Sequence, residues 1–367
     1  MNKLVISNLV HRPLRSLISV TAIAVEVTLI LVIVGLSLGI LDDSKRRQEG
    51  IGADVMVQPP GASAIGLISS APVSIKVADK IRDLPHVTAV APVITQFSTS
   101  GRVEMINGID LKSFEQVGGP LRYVEGGPFR NPDDILVDDY FAESEKLHPG
   151  SKTQILGHTF NISGVVEQGR GARKYLQLTT LQDLLGAEGK ASIFYVKADN
   201  PNSASLIADE IMHINGMQQF TVRTMKDWLS MMTPENVPGF SIFIKVVIGV
   251  AVVIGFIVIF QAMYTAVMER TREIGILKSL GASKSYIVNV VLRETIVLAL
   301  IGIVLGIVIS ILAQHGLQLR FPTIRPEMTG GWILKAIVIA LVGAILGALY
   351  PAFKAAQKDP IDALAYE

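Results

Sequence analysis

The 367 residues contain no cysteine, which excludes disulfides, thiolate metal sites and a thiol nucleophile, so any exported portion has to fold on its apolar core alone. Histidine is scarce and scattered (His11, His86, His148, His158, His213, His315) without metal-ligand spacing, and no serine sits in a nucleophile-elbow pattern. Catalytic and metal-binding readings are therefore poor. The formal net charge is +1, so nothing in the charge balance points to nucleic acid. A G-x-x-x-x-G-K-[ST] phosphate loop is also missing. The nearest string, Gly186 to Ala191, has the wrong spacing and lacks a hydroxyl residue after Lys190.

What the sequence does have is apolar residues, half of the total. They gather into four runs long enough to cross a bilayer, which takes roughly 20 residues. The runs are Ser16 to Leu41, Phe240 to Val267, Thr295 to Leu317 and Trp332 to Phe353. Between the first two lies a polar stretch, Asp42 to Gly239, long enough for one or two compact soluble units. The predicted fold class is four transmembrane helices, all α, with an α+β domain inserted between helices 1 and 2. The remaining segments are an amphipathic leader (1–15), a polar insert (268–294), a short loop (318–331) and a tail (354–367).

Orientation is read from short loops, because lysine and arginine concentrate on the cytoplasmic side. The leader holds Lys3, Arg12 and Arg15, the insert holds Arg270, Arg272, Lys278, Lys284 and Arg293, and the tail holds Lys354 and Lys358. The loop on the opposite side has only Arg320 and Arg325. Both termini and the insert are expected in the cytoplasm, with the large domain outside. A cleaved signal peptide is the alternative for the first run. That run is too long for such a core and ends in LGILDD without a small-residue cleavage site, which favours a retained span.

Within the large domain, VADKIRDLPHVTAV (from Val77) and IADEIMHINGMQQFTV (from Ile207) read as two copies of a helix-to-strand unit. Two similar lobes are one reading and chance likeness of amphipathic helices the other. Between the copies, ILVDDYFAESEKLHPGSKTQI reads as a strand, a helix and a Pro-Gly turn. Arg170, Arg173 and Lys174 form a small basic loop, either a solvated turn or a contact for an anionic ligand. Met225, Met231 and Met232, near the return to the membrane, fit ordinary packing better than contact with an apolar cargo.

The polar insert MERTREIGILKSLGASKSYIV, starting at Met268, carries alternating charges, and Ile274, Leu277 and Leu280 fall at helical spacing. Gly281 suits the left-handed residue that ends a helix, and Ser283 suits the cap that starts the next. A short helix, a corner and a helix rising into the third span are expected. Composition alone leaves open whether this piece lies on lipid headgroups or docks a protein.

Inside the spans, Glu26 is the one conspicuous carboxylate in the first run, where such a group usually meets a partner, water or a functional pathway. A structural polar contact, for instance with Gln261 or a dimer mate, stands beside a role toward substrate or protons and a harmless position near an interface. Three G-x-x-x-G pairs allow close helix approach: Gly35 with Gly39, Gly302 with Gly306, and Gly343 with Gly347. Gly35 and Gly39 are the candidates for a dimer seam.

The opening NLVHRPLRSLISV, the run ERTREIGILKSLGASKSYI and the ending YPAFKAAQKDPIDALAYE together resemble the permeases of the MacB and FtsX superfamily of ABC transporters, the mechanotransmission type. The stretch LVDDYFAESEKLHPGSKTQILGHTFNISGVV is similar to the extracytoplasmic domain of that family. The resemblance implies that the segment from Glu269 to Ala282 contains a coupling helix that contacts an ATP-binding subunit. The candidate coupling residues are Glu269, Arg270, Arg272, Glu273, Ile274, Leu277, Lys278, Gly281 and Ala282. It further implies a bacterial inner membrane, a homodimer, no cofactor on this chain, and ATP with Mg on a separate ATPase partner. An extracytoplasmic adaptor or hydrolase is a further expected partner. Two functions follow as expectations: export or extraction of an amphipathic or hydrophobic cargo, or FtsX-like activation of an external wall hydrolase without transport.

Overall fold

The computed structural model describes residues 13–61, 71–98, 104–237, 239–320, 323 and 325–358. Most of the leader and of the tail lies outside these. Among the described residues four helices are long and apolar enough to cross a membrane. An α+β domain lies in sequence between the first and second, which is the fold class the sequence predicts. The chain divides into two compact units. One contains Gly239–Leu319 with the stretches up to Gly39 and from Arg325, and the other contains Ile40–Pro238 with Arg320–Ile324.

The first helix, α1 (Pro13–Glu49), runs on past the apolar stretch, so that the polar residues after Leu41 are helical too. Two i,i+4 ion pairs support this polar end: Asp42 with Arg46 at 2.6 Å and Asp43 with Arg47 at 3.2 Å.

The inserted domain follows in the order β1 (Val55–Gln58), β2 (Val73–Ser74), α2 (Val77–Arg82), β3 (Val87–Ser98), β4 (Glu104–Ile109), α3 (Leu111–Gly118), β5 (Tyr123–Gly126), β6 (Asp134–Asp138), α4 (Asp139–Glu145) and β7 (Lys152–Ile155). It continues with β8 (His158–Val166), β9 (Lys174–Gln177), α5 (Leu178–Leu184), β10 (Lys190–Ala191), β11 (Ile193–Ala198), α6 (Ala204–His213), β12 (Thr221–Thr224) and α7 (Met225–Met231). The main sheet has the order β12-β1-β11-β3-β4-β9-β6-β8-β5, with β7 added beside β8.

The helix-to-strand repeat seen in the sequence is real structure, but it does not make two lobes. Its copies are α2 with β3 and α6 with β12. Strands β12 and β3 flank the antiparallel pair β1 and β11, so the two copies complete one split β-α-β arrangement. Ala78 and Ile81 of α2 share a core with Ile207, Ala208 and Ile211 of α6. Alternation along the strands sends Val55, Val57, Phe194 and Val196 into this core, while Met56 and Tyr195 point to the opposite face, covered by α3 and α7. The other half of the sheet has a different topology, with parallel pairs β4–β9 and β6–β8, and its own core around Phe141, Phe160 and Leu181.

The membrane unit consists of the apolar part of α1 with α8 (Phe240–Glu269), α9 (Thr271–Ser279), α10 (Lys284–Arg320) and α11 (Gly330–Gln357). Small residues let the backbones approach, as expected where lipid gives helices no hydrophobic reason to associate. A Cβ on Gly302 of α10 would lie 2.9 Å from the Val20 carbonyl of α1, and one on Gly347 of α11 would lie 3.0 Å from the Phe256 carbonyl of α8. Along α11 a buried stripe of Ala336, Ala340, Ala344, Ala348 and Ala352 continues the same packing.

Candidate functional site

The polar insert forms the corner the sequence predicts. Helix α8 breaks at Arg270, α9 occupies Thr271–Ser279, and Gly281 takes φ +92°. The amide of Gly281 donates to the Lys278 carbonyl at 3.0 Å, and that of Ala282 donates to the Leu277 carbonyl at 3.0 Å. This double bond pattern is the Schellman termination, which needs a residue tolerant of positive φ at the position of Gly281. Ser283 then caps α10, its Oγ accepting from the Tyr286 amide at 3.2 Å.

The nine candidate coupling residues divide into two groups. Arg270, Ile274, Leu277 and Lys278 face inward. Arg270 pairs with Glu294 of α10 at 3.0 Å, with both side chains largely buried. Ile274 and Leu277 pack with Val267, Ile287, Ala355 and Ala356, and the half-buried Ala282 joins them. Lys278 donates to the Ala356 carbonyl at 3.0 Å and to that of Lys358, satisfying the C-terminal end of α11. Glu269, Arg272, Glu273 and Gly281 are exposed.

Two residues outside the candidate list dominate the outward side of this corner: Ile276 is 45 % exposed and Leu280 is 80 % exposed. Leu280 does not continue the stripe of Ile274 and Leu277, because α9 ends at Ser279 and the Gly281 turn swings it outward. The i,i+4 spacing of Ile276 and Leu280 was the available signal, and Glu294 was legible only as a carboxylate within reach of the insert.

In the first span Glu26 is 3 % exposed and neither carboxyl oxygen has a hydrogen-bond partner. It does not reach Gln261. It sits instead against Gly255 of the same helix α8, where a Cβ would come within 2.0 Å of Oε2. Gly35 and Gly39 are likewise occupied within the chain. A Cβ on Gly39 would lie 1.9 Å from the Arg325 carbonyl, and one on Gly35 would lie 3.3 Å from the Glu327 carbonyl. The close approach these two glycines permit is therefore intrachain, which removes the argument that made them a dimer seam.

In the inserted domain the basic loop is neither a solvated turn nor an open anion site. Arg170 donates to the carbonyls of Gly118 and Pro120 at the end of α3, a favourable place for a cation. Arg173 bridges Asp43 and Asp138, each at 2.9 Å, and also donates to the Thr323 carbonyl at 3.2 Å. Lys174 is buried, its Nζ 4.2 Å from the centre of the Phe141 ring. Met225, Met231 and Met232 pack around Trp228.

With this geometry in place, comparison with known families is decisive. The model for the MacB-like periplasmic core domain matches residues 16–214, and that for the FtsX-like permease C-terminal matches residues 245–360. The chain belongs to the MacB/FtsX family of ABC transporter permeases. As a member, the permease is a protein of the inner, cytoplasmic membrane. Macrolide export ATP-binding/permease protein MacB of Campylobacter jejuni is 26 % identical over 400 residues, covering 100 % of this chain and 61 % of that protein. The permease thus spans about three fifths of the length of this relative. The uncharacterized ABC transporter permease YknZ of Bacillus subtilis is 25 % identical over 396 residues, covering 100 % of this chain and 98 % of that one. The crystal structure of the periplasmic region of MacB from Actinobacillus actinomycetemcomitans aligns at 15 % identity with a TM-score of 0.38, over 52 % of this chain and 97 % of that one.

Proposed function

We propose that the permease transmits the motion of a separate ATP-binding subunit, which holds ATP and Mg, to its inserted domain. The partner docks on the outward side of α9. The observation that carries this reading is the two-sidedness of that helix. Its inner face is fixed to α10 by Arg270 and Glu294 and to α11 by Lys278, while Ile276 and Leu280 stand uncovered with Arg272 and Glu273 beside them. An exposed apolar pair with a charged rim, on a helix that cannot yield independently of its neighbours, has the chemistry of a force-bearing protein contact.

In this reading α9 and both termini are cytoplasmic, the inserted domain is outside, and two permeases work with two ATPase subunits. The polar end of α1 belongs to the unit of the inserted domain, where Arg173 holds Asp43 at 2.9 Å. The cargo is an amphipathic or hydrophobic molecule. Macrolides are the first to try, since export of that class is in the name of the MacB relatives.

The test is purification of the tagged permease from its own membrane, comparing the wild type with the double variant Ile276→Asp and Leu280→Asp. The expected result is a stoichiometric ATP-binding subunit on the wild type and at least a tenfold loss from a variant that remains folded. Full retention by the variant rejects α9 as the dock. Cargo-stimulated ATP hydrolysis supports export, whereas stimulation of a wall hydrolase without cargo movement shifts the reading to FtsX-like signalling.

A further inference from the structure

Glu26 is buried without a donor at the base of a groove in the membrane unit. The groove has a volume of about 390 Å³ and is walled by Ile18, Val25 and Leu29 of α1 and by Ala251, Ile254 and Val258 of α8. Ile18, Val25, Leu29 and Ile254 are exposed, so the groove opens on the surface of the bundle rather than into a sealed core. Its volume lies in the range of small-molecule sites, roughly 300–1,000 Å³. The position of the carboxylate is specific. Gly255 leaves it room on α8, and on α11 a Cβ at Gly343 would be 3.8 Å from Oε1.

We infer that this groove is an intramembrane binding site for a lipophilic amine, whose hydrocarbon body lies along the apolar walls and whose ammonium group donates to Glu26. A carboxylate shielded from water is strongly disfavoured unless a donor, best a cation, meets it. An acyl chain would fill the groove and leave both oxygens unmet. An anionic amphiphile would be repelled. A second copy of the chain seated by the same face would offer the hydroxyl of Thr21, the only other polar side chain lining the groove among the described residues, a weaker partner for a carboxylate than an ammonium group. The amine enters sideways from the bilayer past the exposed rim. This inference needs only the membrane unit and stands apart from the export reading.

The test uses the full-length permease in lipid nanodiscs and a fluorescent dodecylamine, with the matching dodecanol as its neutral counterpart. The wild type is expected to bind the amine at least tenfold more tightly than the alcohol. Glu26→Gln brings the amine to the level of the alcohol, Glu26→Asp keeps part of the preference, and Ala22→Phe, which fills the groove from its wall, weakens both probes. Equal binding of the two probes by the wild type, or an unchanged preference in Glu26→Gln, overturns the inference. Should Glu26→Gln fail to fold, Ala22→Phe decides, and amine binding by that variant as tight as the wild type's is equally fatal. Because the chain has no cysteine, Thr21→Cys reports a second copy directly. Quantitative disulfide formation between copies, with no amine binding, assigns the groove to the dimer and rejects the ligand.

Discussion

Arg270 and Glu294 meet at 3.0 Å with both side chains largely withdrawn from solvent, joining the break between α8 and α9 to α10. Removing Glu294 takes from the mostly buried Arg270 guanidinium its 3.0 Å carboxylate partner, and breaking such a pair is costly. Glu294→Ala is expected to cost about 3 kcal/mol. The charge-reversed double variant, Arg270→Glu with Glu294→Arg, should recover part of this, because the effects of contacting residues do not add. Thermal unfolding of the purified permease measures both. A Glu294→Ala melting point equal to that of the wild type removes the pair from any structural role.

Gly281 supplies the positive φ that ends α9 and throws Leu280 outward. Alanine there adopts an unfavourable backbone conformation, costing about 1 kcal/mol, and proline cannot adopt φ +92° at all. Gly281→Pro is therefore expected to abolish capture of the ATP-binding subunit while the inserted domain keeps its fold, as judged by limited proteolysis. Undiminished capture would show that the corner is not needed for docking.

The parts of this permease that were legible in the sequence are those governed by local rules. Four apolar runs gave the spans, and Gly281 and Ser283 gave the corner, because backbone sterics and capping act within a few residues. The α2–β3 and α6–β12 repeat was visible for the same reason. That its copies lie in one sheet was not, since the positions of β1 and β11 between them depend on pairing over long sequence distances. The site followed the same division. Arg270, Ile274 and Lys278 stood out by charge and period, but their inward role depends on Glu294, Ile287 and Ala356, which lie far along the chain. Ile276 falls outside that period, and Leu280, which the period groups with Ile274 and Leu277, turns outward because exposure at the end of a helix depends on where the helix stops.

Gly39 offers a sharper contrast with Gly35 than a shared motif would suggest. A Cβ at Gly39 would sit 1.9 Å from a backbone oxygen, that of Arg325, while at Gly35 the nearest atom is a side-chain nitrogen of Gln314 at 3.0 Å. A side chain can move aside and a packed backbone cannot, so Gly39→Ala should cost about 2 kcal/mol and Gly35→Ala well under that, within the usual range for crowded sites. Equal melting points for the two variants would remove this distinction. A selective loss of dimer in either, at unchanged monomer stability, would restore the seam reading.

Asp138 is 1 % exposed at the start of α4, where its Oδ1 accepts from the Phe141 amide at 2.7 Å and its Oδ2 meets Arg173 at 2.9 Å. Burial pushes its carboxyl up from the ordinary 3.8 to about 6, against the opposing pull of Arg173, the Phe141 amide and Arg47. A carboxyl with a raised folded-state value binds its proton more tightly in the native domain than in the unfolded chain. Stability from this group is therefore greatest at low pH, declines as pH rises from about 4 to 6, and is level above that. The full span amounts to about 3 kcal/mol. Asp138→Asn keeps an amide capable of capping α4 and leaves Arg173 paired with Asp43 at 2.9 Å, but it cannot titrate. Denaturant unfolding followed through Trp228, with Trp332→Phe in both proteins to isolate that signal, should show the wild type losing ground to Asp138→Asn across this window. A difference between the two that stays constant from pH 4 to 7 would mean that Asp138 is ionised throughout and that its pairing with Arg173 outweighs burial.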